Sequence, residues 1–392
     1  MQTKTSFLLS DRVGSLKASQ IREVAELGFG TENLIPLWFG ESCWPSPDVA
    51  VTAGMKAIES GDHFYHANSG KPKLRAAIAK YMQALHGNSF EASNVTVTAS
   101  GSQGLNLVAQ VLVSKGDRVV SLGPTWPNVK QIFEMCGADV IDDRVHSHQG
   151  KWCLDIEHFL SQLTRDTKAV IINSPNNPTG WTMSRVEQEL VLAHCRKLGI
   201  WIIADDVYSR LHRHSNAAPS FLDLIEANDR VISINSFSKS WSMTGWRLGW
   251  ITAPTELEGP LAMLNEFSIA CPAGFIQEAG LAAITSGEPY ILNLNTKLQT
   301  GYSVVSEALK KIPIVDFIEP DGAFYCLFKV KGMNDSLQTA KKLLLSTGVG
   351  IAPGIAFGPS CEGHLRLCFA QPPEILEDAM SRISSAMEAV IE

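Results

Sequence analysis

The decisive stretch of this sequence is Asn235-Ser-Phe-Ser-Lys239-Ser-Trp-Ser-Met-Thr-Gly-Trp-Arg247-Leu-Gly-Trp250, in which one lysine lies among hydroxyl groups and an arginine follows. The run before it, Arg230–Asn235, alternates and contains β-branched residues, which predicts a β-strand. Lys239 would then follow the carboxyl end of that strand. Because ligands of open α/β sheets bind beyond the carboxyl ends of the strands, this position predicts a binding site.

The residue types in this stretch indicate a particular chemistry. A lysine amine forms a Schiff base with a carbonyl when its surroundings hold it close and depress its pKa. Ser236, Ser238 and Arg247 are suited to bind a phosphate dianion, the guanidinium through paired charge-assisted hydrogen bonds. Together they predict a site for an aldehyde cofactor that carries a phosphate. The alternative is a surface lysine in a serine-rich turn, since lysine is mostly exposed.

A second polar turn follows an apolar strand. In Val170-Ile-Ile-Asn173-Ser-Pro-Asn-Asn177-Pro-Thr-Gly180 the strand runs directly into Asn, Pro and Gly residues, which favour a tight turn. Asn177 lies at the tip of that turn, where its amide can donate a hydrogen bond to a ring hydroxyl or phenolate. A simple stop signal between strand and helix would also explain the Pro and Gly residues.

A third strand ends in acidic residues. Ile200–Ala204 predicts a buried strand that runs into Asp205, Asp206 and then Tyr208. A carboxylate at such a strand end can lie beneath a protonated ring nitrogen, raise the pKa of that nitrogen and keep the ring an electron sink. Asp205 leaves the strand first and is predicted to have this role, with Tyr208 bonding the ring oxygen. Asp206 is expected to start a helix or to face solvent.

A fourth element, Thr96–Val108, is a predicted strand that turns through Ser100, Gly101 and Ser102 into an apolar, helix-like run. The free backbone N–H groups at a helix start favour phosphate binding. Packing without a ligand would explain a glycine turn of this kind equally well. Further along, Trp126 is a candidate to stack on an aromatic ring, although tryptophan is also a common packing residue.

Taken together, these motifs resemble the class I/II aminotransferases of the aspartate aminotransferase superfamily, which are fold-type-I enzymes dependent on pyridoxal 5′-phosphate (PLP). The resemblance extends from Ile35–Ser42 to His364–Ala370. Its most specific parts are Asn176–Gly180, Asp205–Tyr208 and Ser236–Gly249, which occur in the family's order and spacing. The family implies an α/β fold: a large domain with a mainly parallel, seven-stranded sheet flanked by helices, and a smaller α/β domain formed from both termini.

The resemblance also implies a role for each matching residue. Lys239 would be the Schiff-base lysine and the base that moves protons between substrate and cofactor. Asp205 would pair with the pyridine nitrogen, and Tyr208 would hold the ring oxygen. The predicted catalytic residues are therefore Lys239, Asp205 and Tyr208. The other implied cofactor contacts are Ser100, Gly101, Ser102, Ser236, Ser238 and Arg247 at the phosphate, with Trp126 and Asn177 at the ring.

Substrate and subunit contacts are implied in the same way. Arg366 matches the arginine that binds the substrate α-carboxylate, a task suited to its planar fork, while Gly40 and Asn177 match further contacts on the substrate side. Tyr65 matches a tyrosine that reaches the cofactor phosphate of the partner subunit. The family therefore implies a homodimer with shared active sites, which moves an amino group from an L-amino acid to a 2-oxo acid by ping-pong chemistry.

Composition agrees with this assignment. The 392 residues, 45% of them hydrophobic, can bury a large core and suggest more than one structural unit. A net charge of −7 provides no basic field, so nucleic acid is not an expected partner. We find neither a signal peptide nor a run of about eighteen apolar residues, and therefore expect a cytoplasmic protein that does not enter a membrane.

Metal binding is not expected. The eight cysteines are scattered and form no Cys-x-x-Cys pair. Histidines such as His146 and His148 lie in a polar segment without an acid or cysteine at a metal-binding spacing, and are interpreted as solvated loop residues.

The order of predicted elements gives a coarse organisation. Strands alternate with helix-like segments from about residue 94 to 252, which implies a mainly parallel sheet with helices on both faces. A helical region to Lys311, strands near 314–318, 323–330 and 364–369, and an amphipathic helix through Leu376, Met380, Ile383, Met387 and Val390 follow. The predicted divisions are residues 1–45, an N-terminal arm with part of the small domain; 46–300, the large PLP-binding domain; and 301–392, the small C-terminal domain.

Two other functions remain open from the residues. A PLP-dependent lyase, such as a carbon–sulfur β-lyase, would use the same fold, because a fold does not fix the reaction type. A non-catalytic PLP-sensing module fused to a DNA-binding domain is a more distant alternative. The motifs begin near residue 35, so no room is expected upstream for a winged helix.

The sequence says less about the substrate side chain. Ser102 stands where some dicarboxylate-preferring relatives have a lysine, and Ala18–Glu23 departs from a Ser-x-Thr pattern of aspartate-preferring relatives. Both differences argue against strict aspartate preference. An apolar or aromatic pocket is indicated by residues that would otherwise only line a cleft between domains: Trp38, Phe39, Trp44 and Trp126.

Overall fold

The computed structural model describes residues 11–14 and 16–391. Its strands are β1 Ile35–Pro36, β2 Val95–Thr98, β3 Arg118–Gly123, β4 Asp139–Arg144, β5 His146–His148, β6 Lys151–Cys153, β7 Thr167–Asn173, β8 Trp201–Asp205, β9 Val231–Ser236, β10 Gly249–Thr252, β11 Val315–Asp316, β12 Tyr325–Val330, β13 Val349–Gly350, β14 Ala352–Pro353 and β15 His364–Cys368. Its α-helices are α1 Asp11–Gly14, α2 Gln20–Gly28, α3 Asp48–Glu59, α4 Pro72–His86, α5 Gly101–Leu112, α6 Pro127–Met135, α7 Ile156–Gln162, α8 Arg185–Leu198, α9 Phe237–Ser240, α10 Glu258–Ile269, α11 Gly274–Ser286, α12 Glu288–Leu309, α13 Ser336–Thr347 and α14 Pro373–Ala386.

A seven-stranded sheet forms the centre of the molecule, with the order β2-β10-β9-β8-β7-β3-β4. The pairs β9/β8, β8/β7, β7/β3 and β3/β4 are parallel, whereas β10 runs antiparallel to both of its neighbours. The predicted α/β fold with a mainly parallel, seven-stranded sheet is therefore confirmed.

Both faces of this sheet are covered by helices. Along β7 and β8, Val170 and Ile202 belong to one hydrophobic core, whereas Ile171 and Ile203 belong to a second. Because successive side chains of a strand point to opposite faces, the two cores lie on the two sides of the sheet. Helices α4 and α8 contribute to the first core, and α5, α6 and α10 to the second. Burial on both faces explains why these strands read as continuous β-branched runs.

The strand order brings three sequence motifs to one sheet edge. Strands β7, β8 and β9 are parallel neighbours, so their carboxyl ends lie side by side. In this register Asn173 pairs with Asp205, the last residue of β8. Lys239 follows Ser236, the last residue of β9, within the short helix α9.

A second sheet, of order β11-β12-β15-β14, is formed by the C-terminal part of the chain. Strand β1 pairs in parallel with β13, and the nearby helix α2 packs against α13. The described part of the N-terminal segment therefore joins the C-terminal α/β unit. This pairing carries residues 37–41 to the central sheet edge.

The predicted elements match the observed ones closely, with two differences. The helical region after residue 255 is formed by α10, α11 and α12. The last helix ends at Ala386, so Met387 and Val390 lie beyond it, although both are buried. The segment with His146 and His148 is not a plain loop, because these residues form β5 and pair with β6, while remaining exposed.

Candidate active site

A cavity of about 460 Å³ lies at the carboxyl edge of the central sheet and is lined on its other side by Tyr325 and Arg366 of the four-stranded sheet. Its lining contains every predicted cofactor or substrate residue except Tyr65. These are Gly40, Ser100, Gly101, Ser102, Trp126, Asn177, Asp205, Tyr208, Ser236, Ser238, Lys239, Arg247 and Arg366.

Lys239 projects into this cavity from α9. Its Nζ donates a hydrogen bond to the carbonyl oxygen of Gly40 and lies 5.8 Å from the centre of the Tyr208 ring. Desolvation in the cavity lowers the pKa of the amine to about 8. Burial has this effect because the charged form of an amine loses more hydration than the neutral form. The unprotonated amine, which a nucleophile or proton acceptor requires, is therefore reached at a lower pH than for an ordinary lysine.

Asp205 lies buried at the end of β8. Burial raises the pKa of its carboxyl to about 7, and the neighbouring Asp206 adds to the rise, against a weak bond from the Val207 amide. Its backbone carbonyl accepts a hydrogen bond of 2.9 Å from the Asn173 side chain, which anchors the strand end. Ionisation of this carboxyl group is therefore unfavourable unless a cation lies beside it.

Asp206 is neither a helix start nor a solvent-facing acid, so that prediction is wrong. The residue is buried, and its Oδ2 accepts hydrogen bonds from Ser233 Oγ at 2.6 Å and Ser220 Oγ at 3.2 Å. The chain continues in extended register beyond Asp205, where the Asp206 amide donates to the carbonyl of Ile234. Successive residues point to opposite faces, so Asp205 faces the cavity while Asp206 faces the packed side.

One end of the cavity is formed by the start of α5. Ser100 caps this helix by accepting a hydrogen bond of 3.0 Å from the Gln103 amide. The following amides, of Gly101 and Ser102, lie in the first turn, where a helix offers no carbonyl partner. A β-carbon added to Gly101 would lie 3.1 Å from Val207, which shows how closely this turn approaches its neighbours.

The residues after β9 face this helix start. Ser236 Oγ accepts a hydrogen bond of 3.1 Å from the Ser238 amide, and both hydroxyls line the cavity. Arg247 has a left-handed backbone, with φ of 55°, and its Nη1 donates to the Thr244 carbonyl at 2.6 Å. Hydroxyl groups, a guanidinium and helix N–H groups therefore surround one end of the cavity.

Arg366 forms the opposite wall and is almost completely buried on β15. Its Nη1 donates to Asn177 Oδ1 at 2.9 Å, and its Nη2 donates to the carbonyl of Trp38. Its Nε is buried and has no hydrogen-bond partner among the described residues. Because a guanidinium only donates, the oxygen of Asn177 must face it, which leaves the Asn177 NH₂ group to donate elsewhere.

Tyr208 and Tyr325 form a buried pair of phenols between these two walls. Their hydroxyl oxygens are 2.7 Å apart, and the rings meet edge to face with centres 5.6 Å apart. Burial raises the pKa of both phenols above the ordinary value, so both are protonated at neutral pH.

The remaining lining is mixed. Ile21, Trp38, Phe39 and Leu105 are apolar, and Trp126 is half-buried at the start of α6. Two exposed charges, Arg22 and Glu41, also reach the lining. Trp44 is not part of it and instead receives Lys297 over its ring at 5.1 Å.

Tyr65 lies outside the cavity. Its side chain is 86% exposed in the loop between α3 and α4. Its predicted contact with the cofactor of a partner subunit stays a prediction.

Among the buried polar residues of the site, sequence reasoning did not identify Asn173 and Tyr325. Asn173 is the last residue of a buried strand, next to the predicted turn, and that position was a usable signal. Tyr325 begins a strand far along the chain, and nothing in its local sequence relates it to Tyr208. Within residues 11–14 and 16–391, no three His, Cys, Asp or Glu side chains are grouped to hold a metal ion. In the same ranges, no helix has the length and apolar character needed to span a membrane.

Comparison with known proteins identifies the family. The model of the family described as aminotransferase class I and II matches residues 32–383. The chain is 30% identical to an aspartate aminotransferase of Pyrococcus horikoshii, with 99% of each chain covered. It is 31% identical to an arginine–pyruvate transaminase of Pseudomonas aeruginosa, over 93% of this chain and 92% of that one.

A solved structure agrees. An alanine aminotransferase from Pyrococcus furiosus superposes with a TM-score of 0.91 at 27% identity, covering 97% of this chain and 100% of the other. With the family model matched over most of the length, the chain belongs to the class I and II aminotransferases and is a transaminase.

Proposed function

We propose that the cavity holds PLP and that the side-chain nitrogen of Lys239 binds the cofactor aldehyde. Class I and II aminotransferases generally depend on PLP. The observation that carries the proposal is the position of Lys239 and Asp205. Asp205 ends β8 and Lys239 follows the neighbouring parallel strand β9, so both line one cavity, and burial moves the pKa values of both toward neutrality.

The residues present fit this cofactor at three points. A buried carboxyl with a pKa of about 7 is stabilised when a cationic ring nitrogen lies beside it, which suits Asp205. The α5 amides, the serine hydroxyls and Arg247 suit a phosphate dianion. Trp126 supplies a flat aromatic side chain, and Tyr208 and Asn177 supply donors for a ring oxygen.

Bound PLP supplies an electron sink for the carbanion formed at the substrate Cα. The protein's part is placement and charge. In our proposal Lys239 would be the base that accepts the Cα proton and moves protons between substrate and cofactor, and Asp205 would hold the ring nitrogen in its protonated form. Arg366, whose Nε has no hydrogen-bond partner among the described residues, would bind the substrate α-carboxylate, with Asn177 beside it and the Gly40 backbone at the same wall.

The reaction we propose is transfer of an amino group from an L-amino acid to a 2-oxo acid. The relatives reported above are named as aminotransferases or transaminases, which favours this reaction over the carbon–sulfur lyase. The apolar lining and the absence of a lysine at Ser102 argue against strict preference for aspartate.

The first experiment is the visible absorbance spectrum of the purified protein while single amino acids are added, with oxo acid products identified by mass spectrometry. We expect a yellow protein that bleaches with its donor and regains colour with an oxo acid. A protein that stays yellow while ammonia appears would instead be a lyase, and one that binds no PLP would contradict the proposal.

The matched variants are Lys239→Ala and Lys342→Ala, the latter an exposed lysine on α13. Loss of the lysine that holds the aldehyde and moves the proton is expected to lower kcat by at least about 10³-fold, within the range of such contributions. Lys342→Ala should behave as the parent does. Parental turnover by Lys239→Ala would end the assignment of this residue.

We also propose a homodimer in which Tyr65 reaches the phosphate site of the partner. Phe64, Tyr65 and Phe267 are large apolar or aromatic side chains that are more than four-fifths exposed. The loop with Phe64 and Tyr65 is tied to α10, because Asn68 donates to Glu266 at 3.1 Å and accepts from Asn265. Exposed aromatic groups on one face favour a protein partner, and a second copy is the partner that Tyr65 requires.

The division into residues 1–45, 46–300 and 301–392 is kept as a proposal. The β1/β13 pair supports grouping the N-terminal segment with the C-terminal unit. Helix α12 runs through the boundary at residue 300, so the two units would share this helix rather than a flexible linker.

A further inference from the structure

We propose that Tyr325 is a positioning residue, whose hydroxyl orients Tyr208 and whose ring supports Arg366. It would thereby couple the group that binds the cofactor ring oxygen to the group that binds the substrate carboxylate. This inference rests on the proposed function, because it takes the roles of Tyr208 and Arg366 from it.

The sheet register places Tyr325 beside Arg366. In the β12/β15 pair, Leu327 lies opposite Arg366 and Tyr325 lies opposite Cys368. Residues two apart on a strand share a face, so Tyr325 and Arg366 are diagonal neighbours on one face of the sheet. Accordingly, the Arg366 Cζ lies 4.5 Å from the centre of the Tyr325 ring. A fully buried ring held by the sheet is a rigid support for a cation.

The hydroxyl of Tyr325 has a crowded and specific position. It lies 2.7 Å from the Tyr208 hydroxyl, and so close to Gly40 that a β-carbon there would collide with it. Any residue could supply the backbone carbonyl that accepts from Lys239, but only glycine leaves room for this phenol.

Either phenol could donate in this bond, and the proposed cofactor decides between the two directions. Each phenol carries one hydrogen and can accept further hydrogen bonds. If Tyr325 donates to Tyr208, the hydrogen of Tyr208 remains available for a ring oxygen in the cavity. The reverse direction would leave Tyr208 with lone pairs only. An anionic ring oxygen favours the first arrangement, because a chain of donors that ends on an anion is mutually strengthened.

The test of the hydroxyl is the pH titration of the visible absorbance of the PLP-loaded protein. A donor to the ring oxygen favours the deprotonated chromophore, so weaker donation raises the midpoint pH. We expect Tyr208→Phe to raise the midpoint pH by about one unit, because a direct hydrogen bond to the ring oxygen is lost. We expect Tyr325→Phe to raise the midpoint pH by about half a unit, because its hydroxyl acts only through Tyr208. Tyr325→Phe in the Tyr208→Phe background should add nothing, since its hydroxyl acts through Tyr208.

The matched control is Tyr302→Phe, another buried tyrosine, whose hydroxyl bonds Glu319 at 2.8 Å outside the cavity. It should leave the midpoint unchanged. An unchanged midpoint in Tyr325→Phe, or equal shifts in both backgrounds, would overturn the inference while leaving the proposed function intact. If Tyr208→Phe also had no effect, the assigned role of Tyr208 would itself fall.

The test of the ring uses Tyr325→Leu against Tyr325→Phe. The phenylalanine keeps an aromatic face under Arg366, whereas leucine does not. We expect KM for the amino donor, and the dissociation constant of butanoate as a carboxylate probe, to rise about tenfold more in Tyr325→Leu than in Tyr325→Phe. Equal values in the two variants would remove the ring from the proposal. The melting temperature of each apo variant identifies one that fails to fold.

Discussion

At the scale of single residues, burial gives an acid and a base nearly matching proton affinities. Lys239 and Asp205 differ widely in water, by about six pKa units. In the folded protein their pKa values are about 8 and about 7, in each case mainly because burial disfavours the charged form. The charged forms of both side chains are therefore destabilised by lost hydration in the apo protein. A cofactor with an aldehyde, a cationic nitrogen and a phosphate would offset that loss.

The destabilised charge of Asp205 predicts how the stability of the apo protein depends on pH. The folded pKa of Asp205 lies above its unfolded value of about 3.9, so between these values the folded state holds a proton that the unfolded state releases. Stability is then lost as pH rises through this window, by at most about 1.4 kcal/mol per unit for one group. Asp206, raised to about 6, acts in the same direction.

Denaturant unfolding of the apo protein from pH 5 to 7.5 would measure this loss. The range avoids Lys239, whose depressed pKa of about 8 acts in the opposite sense at higher pH. Asp205→Asn should flatten the profile and stabilise the apo protein at pH 7.5 by about 1–3 kcal/mol, whereas Asp48→Asn, at an exposed acid, should not. A variant profile as steep as that of the parent would refute the raised pKa of Asp205.

At the scale of elements, the first two turns of α5 contain two glycines whose surroundings differ. Gly101 lies in the first turn and lines the cavity, whereas Gly104, one turn on, packs against Ile234 and Ile251 of the sheet. Neither has a positive φ, so alanine is acceptable to the helix backbone at both positions. The added methyl group has different consequences at the two sites because only the first faces the proposed phosphate.

Alanine substitutions test this difference. Gly101→Ala should weaken PLP binding by about tenfold or more, equivalent to about 1.4 kcal/mol. It should also lower apo stability, since its methyl would lie 3.1 Å from Val207. Gly104→Ala should lower apo stability to a similar extent, since its methyl would lie 3.2 Å from Ile234, but should leave PLP affinity unchanged. Equilibrium PLP titration and thermal melting of both variants give the two readouts. If the Gly101→Ala and Gly104→Ala variants bound PLP with equal affinity, the phosphate could not lie at the start of α5.

At the scale of the whole molecule, the exposed aromatic face predicts self-association. Sedimentation equilibrium of the parent should report a dimer. Phe267→Ser, at a side chain 82% exposed on α10, should weaken it by at least about tenfold, as expected for loss of a buried aromatic anchor.

The control for this surface is Leu345→Ser on α13, a side chain 71% exposed. It should leave the dimer intact. Tyr65→Phe should also remain dimeric but bind PLP more weakly, since only its hydroxyl is removed. A parent that stays monomeric at micromolar concentration would exclude the shared site.

The sequence by itself determined most of the strands, although not β5, and the identity of most candidate site residues. The segments around Asn177, Asp205 and Lys239 each join an apolar strand to a polar turn, and such local patterns depend on neighbours in sequence. Since carboxyl ends of parallel strands lie along one edge, their meeting in one cavity was also predictable.

Only the tertiary structure decided what depends on contacts between distant segments. Asp206 is buried because its side chain, just beyond the end of β8, meets Ser220 and Ser233, which no local pattern reveals. Tyr325 joins Tyr208 and Arg366 through the register of β12 with β15, and register is set by long-range pairing. The pKa values of Lys239 and Asp205 likewise arise from desolvation by the whole fold, because a residue's proton affinity depends on what surrounds it in space.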